Sequence, residues 1–238
     1  MPKKINIEDI SISQDETKFL YEGKILFSDR FLKVLAFHPP GIAAVSDTEG
    51  WYHIDLNGKP LYLKRFDRCF GFYFDRAVVV DGNRWYHIDD FGNKTYSPSY
   101  PWCGNFQEKL CTVRDDSHYY FHINLFGERI YDHQYIYAGD FYEGVACVQL
   151  QNGNYKHILK DGSDLNGREF KDLGVFHKSF AMARDEKGWF HINKSGDEMY
   201  SSRYYRIEPF YNGASLVENF DSKKLIIDES GNTVLLLE

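Results

Sequence analysis

Apolar and polar positions change over in short bursts along this chain, and the bursts recur. A small-then-apolar run, Ala43-Ala44-Val45, gives way to a polar turn. An alternating bulky run follows, Trp51-Tyr52-His53-Ile54-Asp55, and then a second turn through Asn57-Gly58. Runs of this length, with turn residues between them and aromatic and β-branched side chains within them, predict short antiparallel strands.

The same sentence returns down the chain. Taken on the glycine of the second turn, the register runs through Gly23, Gly58, Gly92, Gly127, Gly162, Gly196 and Gly231, in steps of 35, 34, 35, 35, 34 and 35 residues. Eight residues after a glycine stands an aromatic (Phe31, Phe66, Tyr100, Tyr135, Phe170, Tyr204). Fourteen after stands Phe37, Phe72, Phe106, Phe141, Phe176 or Phe210. Self-similarity at such a period marks a repeat architecture, in which each unit buries its faces against its neighbours.

Within a repeat, the small-apolar strand (Ala77-Val78-Val79, Cys111-Thr112-Val113, Ala146-Cys147-Val148) leads through a turn to the signature strand Trp51–Asp55, Trp85–Asp89, Tyr120–Asn124, Tyr155–Leu159 or Trp189–Asn193. The Asp-x-x-Gly that closes it is a hairpin signal, its glycine supplying a left-handed φ. A third strand is expected beyond the glycine, with Tyr62, Tyr96, Tyr131 and Tyr200 in equivalent places and Asn166 departing, and a short fourth around the aromatic at Gly+8. Alternation puts Trp51 and His53 on one face and Tyr52 and Ile54 on the other. Both faces are bulky, so each sheet should be covered on both sides.

The expected fold is therefore all-β: a single domain over residues 1–238, built of tandem antiparallel β-meanders of ~35 residues. About seven short units would close into a propeller-like ring, which removes sheet edges. The alternative is an open β-solenoid with capped ends. The slot of Trp51–Ile54 reads Glu16-Thr17-Lys18-Phe19 in the first unit and Lys224-Leu225-Ile226-Ile227 in the last, which suits polar caps as well.

Composition strengthens the β reading and narrows the partners. Aromatics comprise 19 Phe, 18 Tyr and 4 Trp, which favour pleated surfaces. The formal charge of −7 comes with no block of Lys or Arg, which argues against a nucleic-acid backbone. No apolar run is long enough to span a membrane as a helix, and the start Met1–Ile10 reads as no secretory signal. Cys69, Cys103, Cys111 and Cys147 lack metal-ligand spacing and read as reduced thiols of a cytoplasmic protein.

The spacing and motif resemble the WG-repeat family of bacterial proteins. Its head is clearest in Trp51–Tyr62 and Trp189–Tyr200, its tail in Phe141-Tyr142-Glu143-Gly144-Val145-Ala146-Cys147-Val148. The branch is divergent: where the family has Gly after Trp, this chain has Tyr52, Tyr86, Phe121, Lys156 and Phe190, with His next. The resemblance implies an accessory or interaction module and no reaction.

Two sets of side chains invite chemistry. His53, His87, His122, His157 and His191 hold one position in five successive repeats. Metal ligands must converge on one ion, whereas equivalent positions of adjacent units stand apart, so bonding to a backbone carbonyl or a tyrosine hydroxyl is expected and no metal or cofactor is. Trp102, beside Tyr100 in Tyr100-Pro101-Trp102-Cys103-Gly104, has no Trp counterpart in other repeats and is the aromatic expected to be exposed for binding. Asp55, Asp89 and Asp228 begin hairpin turns, where Asx bonding explains them. No nucleophile elbow, phosphate loop or H-E-x-x-H is present. The reading is a monomeric, non-enzymatic module for a protein or polymeric ligand, with glycan binding or glycan hydrolysis or cleavage as the alternative. The irregular connections 97–104 and 161–172 are where its surface should lie.

Overall fold

The computed structural model describes residues 5–27 and 31–237; the basic start Met1–Lys4 lies outside them. Among the described residues the chain forms seven antiparallel sheets, and apart from a 3-10 turn at Ile7–Asp9 all regular structure is strand. Among the described residues no helix is long and apolar enough to cross a membrane. The chain divides into two compact halves, Met1–Ser117 with Ile123–Glu128, and His118–His122 with Arg129–Glu238.

In the N-terminal half one sheet shows the plan. A two-residue strand, Lys33–Val34, pairs with Ala43–Asp47, and that strand pairs with the signature strand Gly50–Ile54. Phe66, the aromatic at Gly+8, then exchanges both backbone hydrogen bonds with Trp51, at 2.8 and 2.9 Å, and forms the expected short fourth element. Trp85 with Tyr100 repeats the exchange in this half; Tyr120 with Tyr135, Tyr155 with Phe170 and Trp189 with Tyr204 repeat it in the C-terminal half.

The three-strand sheets are present, with one difference in how they are composed. The segment leaving the glycine makes isolated bridges, such as Ile54 with Pro60, rather than a regular strand. Where the tyrosine is present its hydroxyl turns back to the signature-strand histidine, and the repeat that has Asn166 instead makes the same isolated bridge, Ile158 with Asp164. In the first repeat this segment forms a two-residue strand, Lys24–Ile25, and in the last, where Leu235 replaces the tyrosine, a longer one, Thr233–Leu237.

The hairpin turn is fixed by its first residue. Asp55 Oδ1 accepts from the backbone N–H of Asn57 and of Lys59, both at 2.9 Å, while Gly58 follows at φ 71°. Asp89, Asn124, Asn193 and Asp228 do the same in their repeats. A short polar side chain that bonds two residues on sets an Asx turn, and Asn serves as well as Asp.

In the sheet of Ala43–Asp47 and Gly50–Ile54 both faces are used. Ala43 and Val45, with Tyr52 and Ile54, face the preceding sheet and pack with Phe19, Val34 and Phe37. Ala44 faces the following one and packs with Phe66, Cys69, Phe72 and Ala77. Small residues in the middle strand let neighbouring sheets approach closely enough for the aromatics between them to interlock. In the C-terminal half Val145 and Cys147 meet Phe170, Phe176 and Ala181 in the same way.

Candidate functional site

The histidine column is buried, with His53, His87, His122 and His191 at 0% exposure and His157 at 2%. His122 shows its environment. Nδ1 pairs with the hydroxyl of Tyr131, Nε2 with the carbonyl of Gly139 at 2.8 Å, and the ring packs on Phe141 at 4.5 Å between centroids. The set recurs at spacings of nine, seventeen and nineteen residues. His53 has Tyr62, Phe70 and Phe72; His87 has Tyr96, Gly104 and Phe106; His191 has Tyr200, Glu208 and Phe210. Each ring thus ties its own repeat to the sheet that follows.

His157 is the exception. Its Nε2 reaches the Gly174 carbonyl at 2.8 Å, but Asn166 stands where the tyrosine should be, and both His157 Nδ1 and Asn166 Nδ2 are buried without a partner. Burial pushes the imidazoles down, to about 4 for His53, His122, His157 and His191 and about 3 for His87, against a weaker opposing pull from the carbonyl bond. Neutral rings that hold two bonds each are cross-links between sheets. Among the described residues no group of three His, Cys, Asp or Glu is arranged to hold a metal ion.

The tyrosine of each set has a second partner. Tyr62 lies on Gly92, Tyr96 on Gly127, Tyr131 on Gly162 and Tyr200 on Gly231, so close that a Cβ at any of these glycines would come within 2.4 to 2.8 Å of the side chain. The glycine column therefore answers two needs, a left-handed turn and room for the preceding repeat's tyrosine.

Tyr100 is buried at 8% exposure, its backbone paired with Trp85. Trp102 is half-buried and tilts against Trp85 at 6.4 Å, which stacks in turn on Phe70 at 5.4 Å. These rings border a shallow cavity of about 200 Å³ with Asn105 at its edge, in the N-terminal half. The structure so brings Trp102 onto the tryptophan of the signature strand and leaves Tyr100 and the histidines inside the scaffold.

Trp102 belongs to a column whose residue type varies from repeat to repeat. Ten residues after each glycine come Lys33, Arg68, Trp102, Tyr137, Asp172 and Arg206, and each lies seventeen residues beyond the first position of the signature slot. The two positions meet. Lys33 pairs with Glu16 at 3.1 Å, Arg68 lies over Trp51 at 5.3 Å, and Trp102 meets Trp85. In the C-terminal half Tyr137 meets Tyr120 at 5.9 Å and Arg206 shares a cavity with Trp189. Asp172 acts on Tyr155, whose phenol is raised first by burial and then by this carboxylate. The scaffold is constant while this pair changes from ion pair to cation–aromatic to aromatic pair. Reading the columns for variation rather than constancy would have revealed it.

A second cavity, of about 470 Å³, lies in the C-terminal half around Trp189, Arg206, exposed Tyr205 and exposed Phe220.

The chain is similar in fold to solved structures of low identity. BamB from Moraxella catarrhalis shares 10% identity over 93% of this chain and 76% of that one, with a TM-score of 0.50. Hsv2p of Kluyveromyces lactis shares 11% over 97% of each, with a TM-score of 0.50. A computationally designed protein, Ika8, shares 12% over 96% of this chain and 85% of its own, with a TM-score of 0.52. These similarities place the chain among propeller-like β folds. Among curated proteins none matches it. The family model described as "WG containing repeat" matches residues 122–155 and 189–223. At those two stretches the chain carries WG repeats, and its other glycine-registered repeats follow the same plan.

Proposed function

We propose that this chain is a non-catalytic repeat module that binds a protein or polymeric ligand, through the side chains that vary over a constant scaffold. The observation that carries this is the pair of columns seventeen residues apart, which hold Trp51 with Arg68, Trp85 with Trp102, and Trp189 with Arg206 at the mouths of cavities or at the surface. Trp, Tyr and Arg supply most of the energy in protein interfaces, because they combine area with directed bonds. The repeated residues are committed to packing and turns, and the buried neutral histidines serve as cross-links in this reading rather than as acids or bases. The four cysteines are buried, and buried thiols agree with a reducing, cytoplasmic setting.

Glycan binding is a second reading, favoured by one observation: the Phe70, Trp85 and Trp102 rings stand side by side at a shallow cavity. Flat aromatic faces suit sugar rings.

The deciding experiment sets the purified chain against a panel of labelled peptides and polysaccharides, with Trp102→Ala and Arg206→Ala beside the wild type. Saturable binding that weakens in either variant, with thermal unfolding unchanged, is expected. Turnover of any panel member by the wild type, or binding indifferent to both substitutions, refutes the proposal.

A further inference from the structure

The cavity of about 470 Å³ in the C-terminal half has a two-part lining. Its less exposed part is apolar, made by Met182, Trp189 and Ile207. At its rim stand Tyr205 and Phe220, 58% and 61% exposed and edge to face at 6.4 Å. Phe220 reaches in because residue 188 is glycine: a Cβ there would lie 2.9 Å from its Cζ.

The rim is also cationic. Arg184, Lys187 and Arg206 line the cavity, and among the described residues none of the three has an ion-pair partner. The one lining carboxylate, Glu186, is held by Lys171 at 3.1 Å. Glu218 stands across the strand from Arg206 without closing a salt bridge, and Asp172, across from Arg184, accepts from the backbone N–H of Leu173 at 2.9 Å. Three free cations around one apolar hollow, on a chain of net charge −7, are a local reversal of sign.

We infer that this cavity binds an acidic peptide segment anchored by one large apolar side chain. The inference rests on the binding-module reading and names the partner for this part of the surface. The volume suits a bulky side chain with its flanking backbone. An apolar anchor would bury itself against Met182, Trp189 and Ile207 and be clasped by Phe220. Carboxylates on either side of it would take charge-assisted bonds from Arg184, Lys187 and Arg206. A sugar fits less well, because its hydroxyls would meet Met182 and Ile207 with no hydrogen-bond partner. A phosphodiester chain fits less well too, since three cations in an acidic protein make no stripe for it to follow.

The test is fluorescence anisotropy with the full chain and a labelled peptide carrying one leucine among aspartates and glutamates. Control peptides replace the acids with lysine or the leucine with serine. Polygalacturonate and single-stranded DNA are offered separately. The acidic leucine peptide is expected to bind alone of these, and more weakly as salt rises. Arg184→Glu with Arg206→Glu, both at exposed positions, should weaken it about tenfold or more, and Phe220→Ala by a similar factor, whereas Lys178→Glu leaves it unchanged. Circular dichroism verifies that each variant is folded. No binding of the acidic peptide, equal binding by the doubly reversed folded variant, or preference for polygalacturonate or DNA overturns the inference. If Trp102-dependent binding of another ligand persists in that event, the module reading stands and only this assignment falls.

Discussion

The ring of Tyr96 lies against the backbone of Gly127, one repeat further on, so closely that a Cβ on Gly127 would sit 2.4 Å from its Cγ. Gly127 also has φ 77°. Gly127→Ala therefore meets two penalties, left-handed strain of about 1–2 kcal/mol and overpacking of about 1–3 kcal/mol. Gly82 has φ 63° with nothing within 4 Å of an added Cβ, so Gly82→Ala meets the first penalty alone. Urea unfolding should rank Gly127→Ala well below Gly82→Ala; equal losses would show that the tyrosine contact contributes nothing.

Asn166→Tyr should stabilise the protein. The substitution returns the tyrosine present in the neighbouring repeats and offers a hydroxyl to His157 Nδ1, which is buried without a partner. A satisfied bond of this kind contributes about 0.5–1.5 kcal/mol. Asn166 already lies on Gly196, and the larger ring must fit beside Arg168, which donates to the Gly196 carbonyl at 2.6 Å and borders the same space. A rise in the thermal midpoint is expected. A fall that Arg168→Ala does not repair would mean the hollow at Gly196 is shaped for asparagine.

Acid should unfold the chain through its histidines. In the unfolded state an imidazole takes up a proton near pH 6.5, but in the folded state only near 4, or 3 for His87. As pH falls below about 6.5 the unfolded state gains protons that the folded state refuses, so stability declines with pH. At pH 5.5 each histidine costs on the order of 1 kcal/mol and the five together several kcal/mol, a sizeable part of the ~5–15 kcal/mol total of a domain. Above about pH 7 the contribution is constant. A urea midpoint that stays level between pH 7 and pH 5 would contradict this, and His122→Gln should flatten the slope by about a fifth.

Arg65 will not accept lysine as a substitute. Its guanidinium donates from Nε and Nη2 to Asp47 Oδ2, at 3.1 and 2.9 Å, and lies 3.6 Å over the Tyr52 ring. Arg203 repeats the arrangement with Asp185 at 2.8 Å and Phe190 at 3.7 Å. A planar cation bonds and stacks at once, which an ammonium does not. Arg65→Lys should cost about 1–2 kcal/mol, measured in a double-mutant cycle with Asp47→Asn. A coupling energy near zero would assign the loss to stacking alone.

Much of the fold was legible because repetition exposes what every unit needs. The glycine, phenylalanine and tyrosine columns marked the turns and the buried faces, and the alternation in Trp51–Ile54 marked a strand covered on both sides. Periodicity shows that a residue recurs and not which neighbour it touches. The seating of Tyr62 on Gly92 was invisible for that reason, as was the irregular backbone that follows Gly58. The candidate site was harder to see on the same grounds. A search for constant columns discards the variable ones, so Trp102 stood out only as an exception. Arg68 and Arg206, which share its column, and the cations Arg184 and Lys187 carry no such mark in the sequence.

The histidine that reaches the carbonyl seventeen residues on, and the tyrosine that covers the next glycine, give most repeats an outgoing clasp and an incoming catch. Clasp and catch sit at fixed offsets along the chain. A stretch one period long therefore carries one of each wherever its ends are cut. Tandem copying of such a stretch leaves no clasp without a catch, so unit number can change by internal duplication with no repair of the interior, while the variable column is left free to diverge.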